Sequence, residues 1–342
     1  MRTASALLAA TLFTLLLLEV SVRVLDLAPA LAEAYGQNVP DENIPYRRKP
    51  NSVLRGRWHT DEFDFELRHN SLGFRDGEHT EEKPPGTWRV LFIGDSFTYG
   101  VGASPESTIP SVAERLLSDR VGDAARVETI RMGLPRYYPA AEALVLEHYG
   151  LAFEPDVVVV GVLANDVIDT HYGIGAIQVD SEGSLRSREG AYMGAVGRWL
   201  YLHSHAARIV LRRVSDELRE RRDPISWPDV SRDGGRHEDD WQQMELDLLR
   251  IRELTVGAGA ELVLLPIPQR GAWSEEQQYP ERRLSAWAGR HSVPFVPTVA
   301  AMKEAGGDAL YWEIDGHCND AGYTVLAETL VARLESLGIL PR

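Results

Sequence analysis

Ser96 follows an apolar run, Val90-Leu91-Phe92-Ile93, inside the segment Gly94-Asp95-Ser96-Phe97-Thr98-Tyr99-Gly100. A serine hydroxyl is a weak nucleophile until a neighbouring base takes its proton. At the carboxyl end of a buried strand, where the chain turns sharply, such a hydroxyl stands above the sheet edge. Gly94 and Gly100 tolerate the close backbone approach that this turn needs. Gly-Asp-Ser by itself is a weak signal, because a serine in this place also serves as an ordinary helix N-cap. A base lies far along the chain, in Asp315-Gly316-His317, just before the last helical stretch. Residues two apart in an extended segment project to one side. Asp315 can then fix the tautomer of His317 and stabilise its imidazolium. Asn165, in Ala164-Asn165-Asp166, offers an amide donor to a developing oxyanion, or alternatively caps a helix. Gly133 offers a backbone N–H to the same point. With the N–H of Ser96 these make three donors, each worth about 2.7–4 kcal/mol of barrier.

Residues so far apart need a frame that gathers them. From Arg89 onward short apolar runs alternate with helical stretches. Strands are expected at 90–93, 127–130, 157–160, 261–267 and 293–296, with helices at 105–117, 140–151 and 321–337. The run of four valines at 157–160 has the β-branched content of a strand buried on both faces. Alternation of this kind predicts a parallel, doubly wound sheet with helices on both faces. Chemistry in such sheets collects at the carboxyl ends of the strands, where Ser96, Gly133 and Asn165 fall. Residues 170–240 form a long insertion with an amphipathic helix near 196–222, a candidate lid or cleft wall. Upstream, Phe63, Phe65 and Leu67 alternate with charged residues as in a half-buried strand. The polar stretch 33–56 reads as a linker.

The chain has 342 residues, 36 Lys and Arg against 51 Asp and Glu, and a formal net charge of −15. That balance argues against nucleic acid as a partner, since phosphates demand clustered cations. The single cysteine, Cys318, excludes an internal disulfide and a Cys-x-x-Cys metal site. Residues 3–18 carry no charge and follow Met1-Arg2. An uncharged run of this length fits an uncleaved membrane anchor or a cleaved signal segment with Ala30-Leu31-Ala32 as its cleavage site. Either reading exports the remainder, and the expected organisation is 1–32 anchor or signal, 33–88 linker and small β-containing extension, and 89–342 the main domain.

Four blocks in order, GDSFTYG, Met132-Gly133, Ala164-Asn165-Asp166, and Asp315-Gly316-His317 with Asn319 and Ala321-Gly322, resemble the marker blocks of the SGNH (GDSL-type) hydrolases. The resemblance spans about residues 89–337. It implies a flavodoxin-like three-layer α/β/α sandwich with a five-stranded parallel sheet in the order 2-1-3-4-5. It also implies a Ser–His–Asp triad (Ser96, His317, Asp315), an oxyanion hole from Ser96, Gly133 and Asn165, and cleavage of acyl esters with neither metal nor cofactor. Arg131 and Leu163 depart from the family pattern, which often has Asn and Gly there. Asn70-Ser71-Leu72-Gly73-Phe74-Arg75 resembles membrane-anchored bacterial members, often linked to acyl groups on cell-surface polysaccharide. The expected partners are therefore an acyl-ester small molecule or an acylated glycan, and the membrane through the N-terminal helix. Hydrolysis of short-chain or O-acetyl esters leads, with O-acyltransfer to a glycan and a silent glycan-binding module as the alternatives. Trp199, Tyr201, Trp227, Trp241 and Trp273 are candidates for a sugar cleft, although helix packing is the plainer reading. His203-Ser204-His205 is a poor metal pair, because residues two apart on a helix do not share a face.

Overall fold

Four short segments, buried along most of their length, build the sheet. In the computed structural model, which describes residues 2–25, 37–58, 60–179, 183, 185–186, 194–211, 214, 230–231 and 237–341, the strand β3 (Thr87–Ile93) is buried along its whole length. The strands β4 (Arg126–Arg131), β5 (Val157–Val162) and β6 (Glu261–Pro266) join it in a parallel sheet of order β6-β5-β3-β4. Val90 pairs with Thr129 on one side and Val157 on the other. Apolar side chains on both faces leave no solvated side, as expected for strands covered by helices.

The expected fifth strand at 293–296 takes its place beside β6 as a single parallel bridge, Leu264 to Phe295. Leu264 N donates to Pro294 O at 2.9 Å and Val296 N to Leu264 O at 3.1 Å. The reason is chemical. The next donors along this ladder would be the N–H groups of residues 266 and 294, and both are prolines, so the ladder cannot lengthen in either direction and the segment stays at the edge. The spatial order otherwise follows the expected one.

The helices are α2 (Ser96–Tyr99), α3 (Ile109–Val121), α4 (Pro139–His148), α5 (Asn165–Tyr172), α7 (Glu238–Gly257), α8 (Tyr279–His291), α9 (Val299–Ala305) and α10 (Asp320–Ser336). The helix expected from Pro105 begins later, at Ile109, where the Thr108 side chain accepts from Ser111 N. Pro105–Ser107 is a separate 3₁₀ turn. One buried ion pair pins the far end of the sheet. Arg89, fully buried on β3, donates to Glu128 at 3.0 Å and to the carbonyls of Phe153 and Thr80.

Residues 38–56, expected to be a linker, are instead packed structure. Asn38–Val39 pairs with Arg47–Arg48, and β1 (Val53–Arg57) forms an antiparallel hairpin with β2 (Asp64–Arg68). Ile44 and Tyr46 are buried, and Tyr46 donates to Pro135 O at 2.6 Å. Residues 38–178 and 225–342 cluster as one unit.

The other unit comprises residues 1–37 and 179–224. Its helix α1 (Arg2–Val24) contains a stretch, Ser5–Val24, of mean hydropathy 2.0, long and apolar enough to cross a membrane. The amphipathic helix expected over 196–222 is interrupted at Ser204, between α6 (Gly194–His203) and a helix at 205–211. The Glu19 carboxylate accepts from the Ser204 hydroxyl and from the N–H groups of His205 and Ala206. It thereby satisfies the free donors at the start of the second helix, as a capping side chain does.

Candidate active site

β3 ends at Ile93, and the chain reverses through Gly94-Asp95 into the one-turn helix α2. Asp95 is its N-cap, its Oδ1 accepting from Phe97 N at 2.8 Å. Ser96 is thus the first residue of the helix, half-buried at the sheet's carboxyl edge. Glycine is required where the neighbouring chain crosses this turn. A Cβ on Gly133 would lie 2.5 Å from Tyr99 N and 2.7 Å from the Thr98 carbonyl carbon, both backbone atoms that cannot yield. Met132 N donates to Phe92 O and Leu134 N to Gly94 O, so this crossing segment is stitched to the end of β3.

His317 reaches the same point from the loop before α10. Its Nε2 lies 2.8 Å from Ser96 Oγ and its Nδ1 lies 2.5 Å from Asp315 Oδ1. With a proton on Nδ1 facing the carboxylate, Nε2 has a lone pair to accept the serine proton. The Phe97 ring packs on the imidazole at 4.7 Å between centroids. The loop is a turn rather than the extended segment expected from the spacing. Trp312 N donates to His317 O, Gly316 N donates to Trp312 O, and Gly316 is left-handed at φ 84°. Asp315 and His317 meet because that turn closes, with His317 N only 3.3 Å from Asp315 Oδ1.

Two residues hold Asp315 that the sequence reading did not single out. Trp58 Nε1 donates to Asp315 Oδ2 at 2.5 Å, and the Glu62 carboxylate accepts from Ile314 N and Asp315 N at 2.9 and 2.7 Å. Both belong to the β1–β2 hairpin region. Trp58 stacks on Phe63, and Phe63 packs on Trp312 of the loop before α10. Burial alone would raise the Asp315 pKa, but bonds and charge from His317 and the bond from Trp58 bring it below the ordinary carboxylate value. It therefore stays ionised opposite the imidazole.

Arg75, the last of the Asn70–Arg75 segment, supports the other side of the site. Its buried guanidinium donates to the carbonyls of Tyr99, Gly100 and Ala103 at 3.1, 2.5 and 3.0 Å. These are the carbonyls left over where α2 ends. Asn70 Oδ1 accepts from Leu72 N and Phe74 N, which shapes the turn that aims Arg75.

Asn165 begins α5, and its Nδ2 lies 3.4 Å from Asp95 Oδ2, with Ser96 Oγ also 3.4 Å from that oxygen. Among the described residues its Oδ1 has no hydrogen-bond partner. Burial pushes the Asp95 pKa up to about 6, against the lowering effects of Phe97 N–H, His317 and Asn165. Glu142 and Asp166 are also buried and raised, chiefly by desolvation. Arg131 is engaged elsewhere, with Asp76 and Glu114, and Leu163 is in the core, its N–H donating to Asp166 at 2.9 Å.

The plainer reading, packing, describes Trp241 and Trp273 better than a sugar cleft does. Trp241 is 2% exposed and donates to Val230 O, and Trp273 donates to Asp308 and packs on Tyr311. Trp199 is exposed in the smaller unit. Trp227 and the side chain of Tyr201 lie outside the described residues.

Solved structures similar to this chain include TesA, with 16% identity, a TM-score of 0.44 and coverage of 73% of this chain and 99% of that one. A catalytic mutant of Axe2, an acetylxylan esterase from Geobacillus stearothermophilus, has 17% identity and a TM-score of 0.43, covering 72% and 94%. A member of the lipolytic protein G-D-S-L family from Veillonella parvula DSM 2008 has 11% identity and a TM-score of 0.42, covering 72% and 97%. No curated protein matches the chain. The model of the GDSL-like lipase/acylhydrolase family matches residues 92–325, from the end of β3 into α10. With the Ser96 hydroxyl, the His317 imidazole and the Asp315 carboxylate in one hydrogen-bonded line at the sheet edge, this chain is a member of the GDSL-like lipase/acylhydrolase family, a hydrolase acting on ester bonds.

Proposed function

We propose that the chain is a serine esterase working through Ser96, His317 and Asp315, with Ser96 N, Gly133 N and Asn165 Nδ2 as oxyanion donors. The observation that carries this reading is the 2.8 Å contact from Ser96 Oγ to His317 Nε2, continued at 2.5 Å from Nδ1 to Asp315. His317 Nε2 takes the hydroxyl proton as Oγ attacks the ester carbonyl. The carbonyl oxygen gains negative charge and is met by the three donors. The imidazolium then gives its proton to the departing alkoxide, leaving an acyl group on Ser96. A water molecule, deprotonated by the same Nε2, releases the acid and restores the hydroxyl. Asp315 stays ionised throughout and stabilises the imidazolium in both halves of the reaction.

The acyl group in this reading is short, of the O-acetyl class, and its alcohol part belongs to a cell-surface carbohydrate. The likeness of Asn70–Arg75 to membrane-anchored members supports that choice. So does an N-terminal helix long and apolar enough to span a bilayer; in this reading the remainder lies on the extracytoplasmic side. The test is hydrolysis of a series of acyl esters and acetylated sugars by the wild type and Ser96→Ala. The substitution is expected to lower kcat by at least about 10³-fold with the fold intact. Retained turnover in Ser96→Ala refutes the nucleophile. A preference for long acyl chains over acetyl refutes the substrate class.

A further inference from the structure

At the far end of α5 from Asn165, His171 faces the first turn of α7. Its Nδ1 lies 3.1 Å from Asp240 Oδ2, and His237 Nδ1 lies 3.0 Å from the same oxygen. The two imidazole rings meet edge to face, 6.0 Å between centroids. One ligand atom from each of the three residues lies within 4.8 Å of the others. We propose that His171, His237 and Asp240 form a binding site for a divalent transition-metal cation of the zinc type, separate from the Ser96 centre.

The donor set and its dimensions support this. Two imidazole nitrogens and one carboxylate oxygen are the borderline ligands that zinc takes, with bonds of about 2.0–2.2 Å. Tetrahedral bonds of that length separate neighbouring ligand atoms by about 3.4 Å. The observed 3.0 and 3.1 Å edges need to open by only a few tenths of an ångström. Each ring turns its Nδ1 toward that one oxygen. Coordination uses the lone pair of Nδ1, so each ring binds a cation in the tautomer protonated on Nε2. His237 is 7% exposed and Asp240 is partly buried, so two ligands are already desolvated and held by their own helix. His171 has a side chain 39% exposed, which leaves an open side for a water as fourth ligand. The site joins the end of α5 to the beginning of α7, the two helices that bracket residues 173–237. Its role is then a cross-link that fixes the base of the long insertion, and the ester chemistry does not pass through it.

The test uses the full chain without a polyhistidine tag, solubilised in detergent and stripped with a chelator, then titrated with Co(II) alone. The expected result is saturation near one equivalent, with the visible d–d bands of a four-coordinate site, displacement by Zn(II), and a thermal midpoint raised by either metal. Loss of an outer-shell partner alone costs about 10–100-fold in metal affinity. His171→Ala and Asp240→Asn are therefore each expected to weaken Co(II) by about a hundredfold or more, with circular dichroism unchanged. His171 is the decisive variant, because a half-exposed side chain is not needed for folding. Absence of the bands in the wild type, or bands of equal affinity in His171→Ala, overturns the site. Neither outcome bears on Ser96, whose ester turnover is measured separately.

Discussion

Replacing Trp58 by Phe tests how Asp315, the proposed triad carboxylate, is held. The change removes one N–H donor while a ring remains to stack on Phe63, now 5.3 Å from the Trp58 ring at an interplanar angle of 19°. The lost bond is 2.5 Å long and runs to an acceptor whose side chain is 5% exposed. A hydrogen bond to a charged group is worth about 1.5–3 kcal/mol. Water cannot readily take the place of the indole there, so most of that value is lost rather than exchanged. Spent on the transition state at about 1.4 kcal/mol per decade, it corresponds to a fall in kcat of about tenfold to a hundredfold. That remains well short of the ~10⁴-fold that follows removal of a triad carboxylate's function, because Glu62 still holds Ile314 N and Asp315 N. KM should stay where it is, since Trp58 touches the carboxylate and not the ester. Steady-state hydrolysis of a chromogenic acetyl ester separates the two constants. A companion change, Phe63→Leu, loosens the stack and leaves the donor, and is expected to cost less in kcat. A Trp58→Phe enzyme that folds normally and turns over within about twofold of wild type would refute the claim that the hairpin orients Asp315.

Arg75→Ala should unsettle α2 from behind, because the carbonyls of Tyr99, Gly100 and Ala103 lose a shared buried donor. Gly100 O keeps its bond from Ala103 N, so at about 1–3 kcal/mol for each of the other two left unpaired the expected loss of stability is about 2 kcal/mol or more, with kcat falling about tenfold and Arg75→Lys recovering part of both. Calorimetry and kinetics on the two variants check this, and an unchanged thermal midpoint contradicts it. Asp95 makes a pH prediction. Burial lifts its pKa to about 6 in the folded chain, above the value of about 3.9 in an unfolded one. Between these values the native state keeps a proton that the unfolded state has lost, so the contribution of Asp95 to stability falls as pH rises from about 4 to about 6, then levels off. Asp95→Asn keeps an acceptor for Phe97 N–H and abolishes that titration. Its thermal midpoint should vary less with pH across the window than that of the wild type, and an equal slope would show that Asp95 does not titrate there.

Much of this protein was legible along the chain. Strand and helix alternation is written in periods of 2 and 3.6 residues, and an apolar run followed by Gly94-Asp95-Ser96 marks the strand end that carries the hydroxyl. His317 and Asp315 were nameable because they lie two residues apart, although the turn at Gly316, rather than an extended strand, is what joins them. The limit of the sheet was also local. Pro266 and Pro294 reduce the fifth strand to one bridge, which residue-by-residue accounting of N–H donors explains.

What only the tertiary structure decided is who supports the site. Trp58 and Asp315 are 257 residues apart, and Arg75 reaches carbonyls 24–28 residues ahead. Residues 38–56 looked like a linker because polar residues and turn formers dominate them, and the composition of such a segment does not encode what its few buried members pack against. A side chain's identity states which bonds it can make; which partner it finds is set by long-range packing, where loop closure costs little per added residue and leaves no periodic trace in the sequence. The groups proposed to react could therefore be read from their own neighbourhoods, whereas the groups that hold them became visible only when the chain was folded.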